Sequence, residues 1–420
     1  MGMGIEEAFL HDILAHPDDD APRLIYADWL DEHNDPRGEF IRIQCALAQL
    51  SDEDPHRWPL ELREQELLRE HKAKWLPKDI GTASCVFRRG FVEEVTLFVQ
   101  DFLAVIERLF EQTPLQHICL RGPMYAAETE RTGEEGRDWW QVAQSPHLTR
   151  LRGLSLGFSL DAEDCRSLSE TPYLTNLIDL RLLYPCRSEA IRIDWEAMTN
   201  RPALRSLTLA NHALTIEQLP ILANSSSLTS LCELNLINNR LTHEAVRLLA
   251  DKRLLSQLDI LRLDHNFLGD AGALAMREWP SLPRLTRLSL GHNQLFYAGV
   301  KALAEAPALR ELVSLNLSRN ISCDDGAADL ASSNWTRLRA LNLWFNGVGD
   351  RGVQALAHSK TLSQLTWLNL TANCITNVGA RALIRSRGLP RLARLDLLRN
   401  AITSAEQERL RERFGPFVYC

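Results

Sequence analysis

The chain has 420 residues, a net charge of −8 and a pI near 5.9, a balance that argues against general affinity for phosphate backbones, which requires a clustered basic surface. Its nine cysteines are an odd number, scattered without a C-x-x-C or a Cys/His set of metal-site spacing, which predicts free thiols in a reducing compartment. The first twenty residues, MGMGIEEAFLHDILAHPDDD, lack both a basic n-region and a continuous apolar h-region, and no apolar run elsewhere is long enough to span a bilayer, so the expected location is the cytoplasm.

In chain order, Ile5, Phe9, Ile13 and Leu14 share one side of a first helix that Pro17 ends. Asp20 is placed to cap a second, with Pro22 in its first turn and Leu24, Ala27, Trp29 and Leu30 as its apolar side. Asp35-Pro36 opens a third, carrying Phe40, Ile41, Gln44 and Leu47, so residues 1–50 predict a small helical bundle. The run PDDDAPRLIYADWLDEHNDPRGEFIRIQ resembles the repeat-companion domain found at the N-terminus of many bacterial repeat proteins. The resemblance implies architecture, and no enzymatic activity comes with it.

Residues 51–84 read as a connection containing a charged helix, Arg57 to Trp75, whose apolar residues are Leu60, Leu67, Leu68 and Trp75. Arg88-Arg89-Gly90 then separates Cys85-Val86-Phe87 from Val92, Val95 and Leu97, the pattern of a turn between two strands. The second of these strands has the spacing of a first rib. Phe102 to Phe110 follows as its outer helix, and Leu115, Ile118 and Leu120 as the next rib. The rib after that opens at Leu151, 36 residues on, and the excess falls in AAETERTGEEGRDWW, an expected exposed insertion near residues 125–138.

From there the spacing becomes regular. First leucines stand at Leu177, Leu204, Leu231, Leu258, Leu285, Leu312, Leu338, Leu365 and Leu392, in steps of 27 with one of 26. Leu258 to Leu268, LDILRLDHNFL, fits L-x-x-L-x-L-x-x-N-x-L at every fixed position. Its alternation has the period of a strand with one buried face, and a short polar residue follows each turn where a helix could start: Asp270, Asp324, Asp350, Asn377, Ser404. Apolar pairs such as Val246/Leu249, Val300/Leu303 and Val353/Leu356 then mark a helix face. In Leu177's degenerate copy Pro185 and Cys186 stand in the turn, and His212 replaces the next asparagine. This pattern resembles the leucine-rich repeat in its long, ribonuclease-inhibitor-like form. The resemblance implies an α/β solenoid over residues 85–420, with parallel strands on a concave face, helices on a convex face and a C-terminal cap over 403–420.

For chemistry, the acidic cluster Asp18, Asp19, Asp20, Asp28, Asp31 and Glu32, with His11, His16 and His33, is the one place a metal-dependent activity would be sought; helix caps and solvated helix sides account for these residues better. No nucleophile elbow, P-loop, zinc-protease or dinucleotide fingerprint occurs, and no cofactor is implied. Regulation of a nucleotide switch, as in GTPase-activating repeat proteins, is an alternative resting on fold likeness alone. Asn239, Asn266, Asn293, Asn320, Asn346, Asn373 and Asn400 are expected to form a buried ladder serving the turn backbone.

The outward strand residues carry no such duty in this reading, and among them Trp344, Phe345 and Trp367 place large aromatic rings on adjacent ribs. With Arg319, Arg394 and Arg399 around them and Asn342 and Asn369 offering hydrogen bonds, these residues are the expected centre of a protein-binding surface. Asn316, on the same outward column, is expected to tolerate truncation. The function expected is that of a non-catalytic scaffold whose partner is a protein, with neither nucleic acid nor membrane implied.

Overall fold

A computed structural model describes residues 4–78, 83–122, 137–184, 204–214, 216, 219–225, 228–250, 256–280, 282 and 284–420. The expected insertion near 125–138, apart from its last two residues, and the turn at Pro185 and Cys186 lie outside them. The chain divides into two compact units, Met1–Leu204 and Arg205–Cys420.

The first unit opens with four helices: α1 (Ile5–Ala15), α2 (Ala21–Glu32), α3 (Arg37–Gln49) and α4 (Arg57–Trp75). Ile13, Tyr26, Ala27, Leu30, Ile41 and Cys45 close a core together with Phe91, which belongs to the strands that follow. The buried side of α2 differs from the expected one, because Arg23 occupies it while Leu24 is exposed. Asp20 does not cap α2 with its side chain; Asp19 Oδ1 accepts from Ala21 N (2.9 Å) instead. β1 (Ser84–Arg88) and β2 (Phe91–Phe98) form an antiparallel hairpin turned by Arg89 (φ +49°) and Gly90 (φ +87°). A Cβ at Gly90 would lie 2.2 Å from Ile41 Cγ1, so only glycine lets the hairpin tip reach α3. β2 pairs in parallel with β3 (His117–Arg121), followed by β4 (Gly153–Gly157) and β5 (Asp179–Leu182), with α5 (Phe102–Gln112), α6 (Arg137–Ala143) and α7 (Ala162–Glu170) in the connections.

Among the described residues the second unit holds nine strands paired in parallel in sequence order: β6 (Ser206–Leu209), β7 (Glu233–Asn235), β8 (Ile260–Arg262), β9 (Arg287–Ser289), β10 (Ser314–Asn316), β11 (Ala340–Asn342), β12 (Trp367–Asn369), β13 (Arg394–Asp396) and β14 (Val418–Tyr419). The repeat spacing sets the register. Leu234, Leu261, Leu288, Leu315, Leu341, Leu368 and Leu395 align as one buried row. Each rib returns through a helix that lies against the helix of the next rib, and the apolar pairs Val246/Leu249, Val300/Leu303 and Val353/Leu356 are buried there. Such a rib has an apolar flank that only a neighbour covers. At the C-terminal end the helix Ser404–Phe414 and a turn at Gly415 (φ +86°) bring β14 alongside β13, a strand the repeat pattern did not announce.

The asparagine ladder forms as expected. Asn320 Nδ2 donates to Leu290 O (3.0 Å) and Leu317 O (2.9 Å), while its Oδ1 accepts from Asn293 N and Leu295 N (both 3.0 Å). Asn239, Asn266, Asn346, Asn373 and Asn400 repeat the pattern. Four of the polar residues after the turns, Asp270, Asp324, Asp350 and Asn377, do not act as the sequence suggested: each accepts from the backbone that enters the helix of the following rib. Asp324 Oδ1 accepts from Gly349 N (2.7 Å) and Gly352 N (2.9 Å), and Asp350 Oδ1 from Thr376 N (2.9 Å) and Gly379 N (2.8 Å).

Candidate partner-binding surface

In the second unit the strand register arranges outward side chains in columns. The residue four places after the first strand residue runs Asp264, Gly291, Ser318, Trp344, Thr371, Leu398, and the residue after it runs Asn211, Asn238, His265, His292, Arg319, Phe345, Ala372, Arg399. All eight members of the second column have φ between +54° and +63°. Residues other than glycine, asparagine, aspartate and histidine strain this left-handed conformation. It recurs with a shared bond: every N–H of the column except that of Arg399 donates to the next rib, as Arg319 N does to Trp344 O (2.7 Å) and Phe345 N to Thr371 O (3.0 Å). Asparagine at 211 and 238 and histidine at 265 and 292 suit that backbone; arginine and phenylalanine strain it.

The expected aromatic centre divides in two. Trp367 stands level with Ala340 and Arg394, whereas Trp344 is level with Thr371, four residues further along, about 13 Å at ~3.3 Å per residue. No ring contact joins the two tryptophans among the described residues. In the first group the Arg319 guanidinium lies 5.4 Å from the Trp344 ring centre and 5.8 Å from that of Phe345, within cation–π range. Phe345 is 59% exposed and Trp344 half-buried. In the second group Trp367 Nε1 donates to Asp396 Oδ2 (2.5 Å), and Arg394 lies between the Trp367 and Tyr419 rings (5.3 and 5.4 Å) while pairing with Asp396 (3.3 Å). This group is knitted to itself. Arg399 is exposed on the left-handed column and meets no carboxylate among the described residues.

Asn342 and Asn369 are not idle surface amides. Their Oδ1 atoms accept from Trp344 N (3.0 Å) and Thr371 N (2.9 Å), fixing the departure of the chain from the strand, as Asn316 does with Ser318 N (3.0 Å). Asn316 does more. Its Nδ2 donates to Asp264 Oδ1 (2.9 Å) and Ser289 Oγ (2.8 Å), and the same Asp264 oxygen accepts from Ser289 Oγ (2.7 Å) and Gly291 N (2.9 Å). Beside this buried knot His265 Nδ1 and His292 Nδ1 are 2.7 Å apart, a contact requiring a bare nitrogen on one ring. Burial, then the neighbouring His265 and Arg319, hold His292 below the usual imidazole range.

Sequence reasoning missed the apolar residues at the turns. Phe267 (56% exposed), Phe296 (50%) and Ile321 (50%) stand on consecutive ribs just beyond the left-handed column. For Phe267 and Ile321 the signal was an apolar letter directly after the ladder asparagine, where Arg240, Gln294 and Gly347 stand in other copies; Phe296, three residues after Asn293, carries no such mark.

The N-terminal acidic residues are engaged structurally. Asp18 meets Arg152 and Gln116 (3.1 Å), Asp20 faces Arg89 (3.5 Å), and Asp28 and Asp31 share Arg42. Arg23, fully buried, pairs with Glu93 (2.7 Å) and donates to Arg89 O and Pro17 O. Among the described residues no group of three or more His, Cys, Asp or Glu is arranged to hold a metal, and no helix is long and apolar enough to cross a membrane.

A family profile described as "Leucine Rich repeat" matches residues 282–304, 336–357 and 363–383. No curated protein matches the chain. Among solved structures, it is similar to an internalin from Listeria monocytogenes, at 21% identity and a TM-score of 0.42 over 65% of this chain and 75% of that one. It is also similar to the Rad7 and Elc1 complex in yeast, at 19% identity and a TM-score of 0.49 over 92% of this chain and 87% of that one. The fold assignment therefore rests on the strand pairing, the asparagine ladder and the matched repeats.

Proposed function

We propose that this leucine-rich-repeat chain is a non-catalytic, cytoplasmic scaffold that binds a protein partner on the strand-and-turn face of its second unit, centred on Arg319, Trp344 and Phe345. One observation carries the reading: Phe345 presents a large ring to solvent from a left-handed backbone position where asparagine would be cheaper, with an arginine held against it. Stability alone does not favour such a residue. Exposed aromatic rings flanked by arginine are the usual anchors of protein interfaces. Trp367, Arg394 and Asp396, tied to one another, and Arg399 form the outer part of the same face.

The test follows from the strain. Phe345→Asn removes the anchor and installs a residue suited to the backbone, so melting temperature should hold or rise, by about 1 kcal/mol of stability at most. Partner capture from the native cell should lose its specific protein with Phe345→Asn and with Trp344→Ala, each anchor being worth about 2 kcal/mol or more. An unchanged set of captured proteins would move the interface off this face.

A further inference from the structure

We propose that the segment bound on this face is acidic, with apolar side chains interspersed, and that it runs along the turn edge from the rib of Phe267 toward that of Arg399. The inference rests on the protein-binding reading and adds the chemistry of the partner. The chain carries net charge −8, yet among the described residues each carboxylate of this face already has a partner from the chain itself. Glu233 is paired with Arg262, Asp264 is buried beneath three donors, and Asp396 is buried between Trp367 and Arg394. Arg319 and Arg399 are exposed and, among the described residues, face no acid. Uncompensated arginines on an acidic protein mark where opposite charge is received.

The apolar component comes from Phe267, Ile321 and Phe345, each at least half exposed and each on a different rib of the same edge. Adjacent ribs lie about 4.8 Å apart, so the five steps from the rib of Phe267 to that of Arg399 cover about 24 Å, which an extended chain of ~7 residues spans. Nucleic acid is the less favoured occupant because two separated arginines, without a lysine on these columns, do not make the dense basic stripe that phosphate backbones require.

The experiment is selection of a displayed random peptide library, about twelve residues long to exceed that span, on the full chain and on an Arg319→Glu/Arg399→Glu variant of matched melting temperature. The wild type should enrich peptides rich in Asp and Glu with Leu or Phe between them. A selected peptide should bind the charge-reversed variant about tenfold more weakly, and lose affinity as salt is raised toward 1 M, where the screening length falls to about 3 Å. Enrichment without an acidic excess, or equal binding by the variant, overturns the acidic class. If Phe345→Asn still abolishes capture in that case, the surface stands and only the partner chemistry falls. No enrichment at all overturns binding of a linear segment, and tighter binding of a single-stranded oligonucleotide than of any selected peptide overturns the choice of protein.

Discussion

Asn320 and Asn293 occupy equivalent positions, yet they are not equally employed. Asn320 uses both amide hydrogens and accepts two backbone N–H groups, whereas Asn293 Oδ1 is buried without a donor. Truncating Asn320 orphans more buried backbone, so Asn320→Ala should cost about 1–3 kcal/mol and exceed Asn293→Ala in chemical denaturation. Asn316→Ala, expected from sequence to be nearly neutral, should cost about 1 kcal/mol, because Asp264 and Ser289 lose a donor. The ladder was legible because one letter recurs in one phase; the Asp264 knot was not, because its four residues come from three ribs and no single repeat contains it. The split of the tryptophans was legible in principle. Trp344 and Trp367 are 23 residues apart in a repeat of 27, a difference of four positions along the rib.

At the level of the element, the helices show what local reading omits. A short polar residue after a turn suggests a cap for its own helix, and stacking redirects it. Asp350 reaches the helix Asn377–Ile384, and Gly379 leaves the space: a Cβ there would lie 2.6 Å from Asp350 Oδ1 and 2.8 Å from Ile375 Cγ2. Gly379→Ala, ordinarily stabilising inside a helix by about 0.5–1 kcal/mol, should therefore destabilise by about 1–3 kcal/mol. Adding Asp350→Ala should recover part of that loss, a non-additivity measurable by a double-mutant cycle. Burial alone would push the Asp350 carboxyl up, but the Thr376 hydroxyl and the Thr376 and Gly379 N–H groups outweigh it and hold the group below its ordinary value. A depressed carboxyl contributes fully above its unfolded pKa, about 3.9, and its contribution drains away as pH falls through the lower folded value. The stability difference between wild type and Asp350→Asn should shrink over that acid window and be flat from pH 5 to 7.

Across the first unit, the N-terminal helices close the exposed flank of the hairpin and early ribs, and the sequence motif that marks them is largely the closure itself. Gln44 accepts from Gly90 N (2.7 Å) and donates to Phe87 O (3.1 Å), Arg37 lies over the Phe91 ring (4.6 Å), and Trp75 stacks on Phe40 (4.7 Å). Deleting residues 1–78 should produce aggregation or a large loss of stability, seen as a soluble fraction that collapses although the ribs of the second unit are intact. Within the intact chain Arg23→Ala should cost about 3 kcal/mol, since it leaves Glu93 buried with Arg89 as its remaining partner. That the bundle is helical could be read from its periodicity and its punctuating prolines. That Asp18 and Arg23 look toward the ribs could not, because helix periodicity assigns charged residues to solvent and says nothing of a second body waiting there.

The forward reach of the aspartates gives the second unit a direction that matters before folding is complete. Asp270, Asp324 and Asp350 each lie about one repeat ahead of the backbone amides they serve, so during synthesis each cap exists before its helix has left the ribosome. At about 5–20 residues per second, a repeat emerges over a few seconds, long compared with helix formation. The ribs that follow Asp270, Asp324 and Asp350 thus meet an edge that already carries the acceptor for their first turn, which favours their addition in the order in which they are translated.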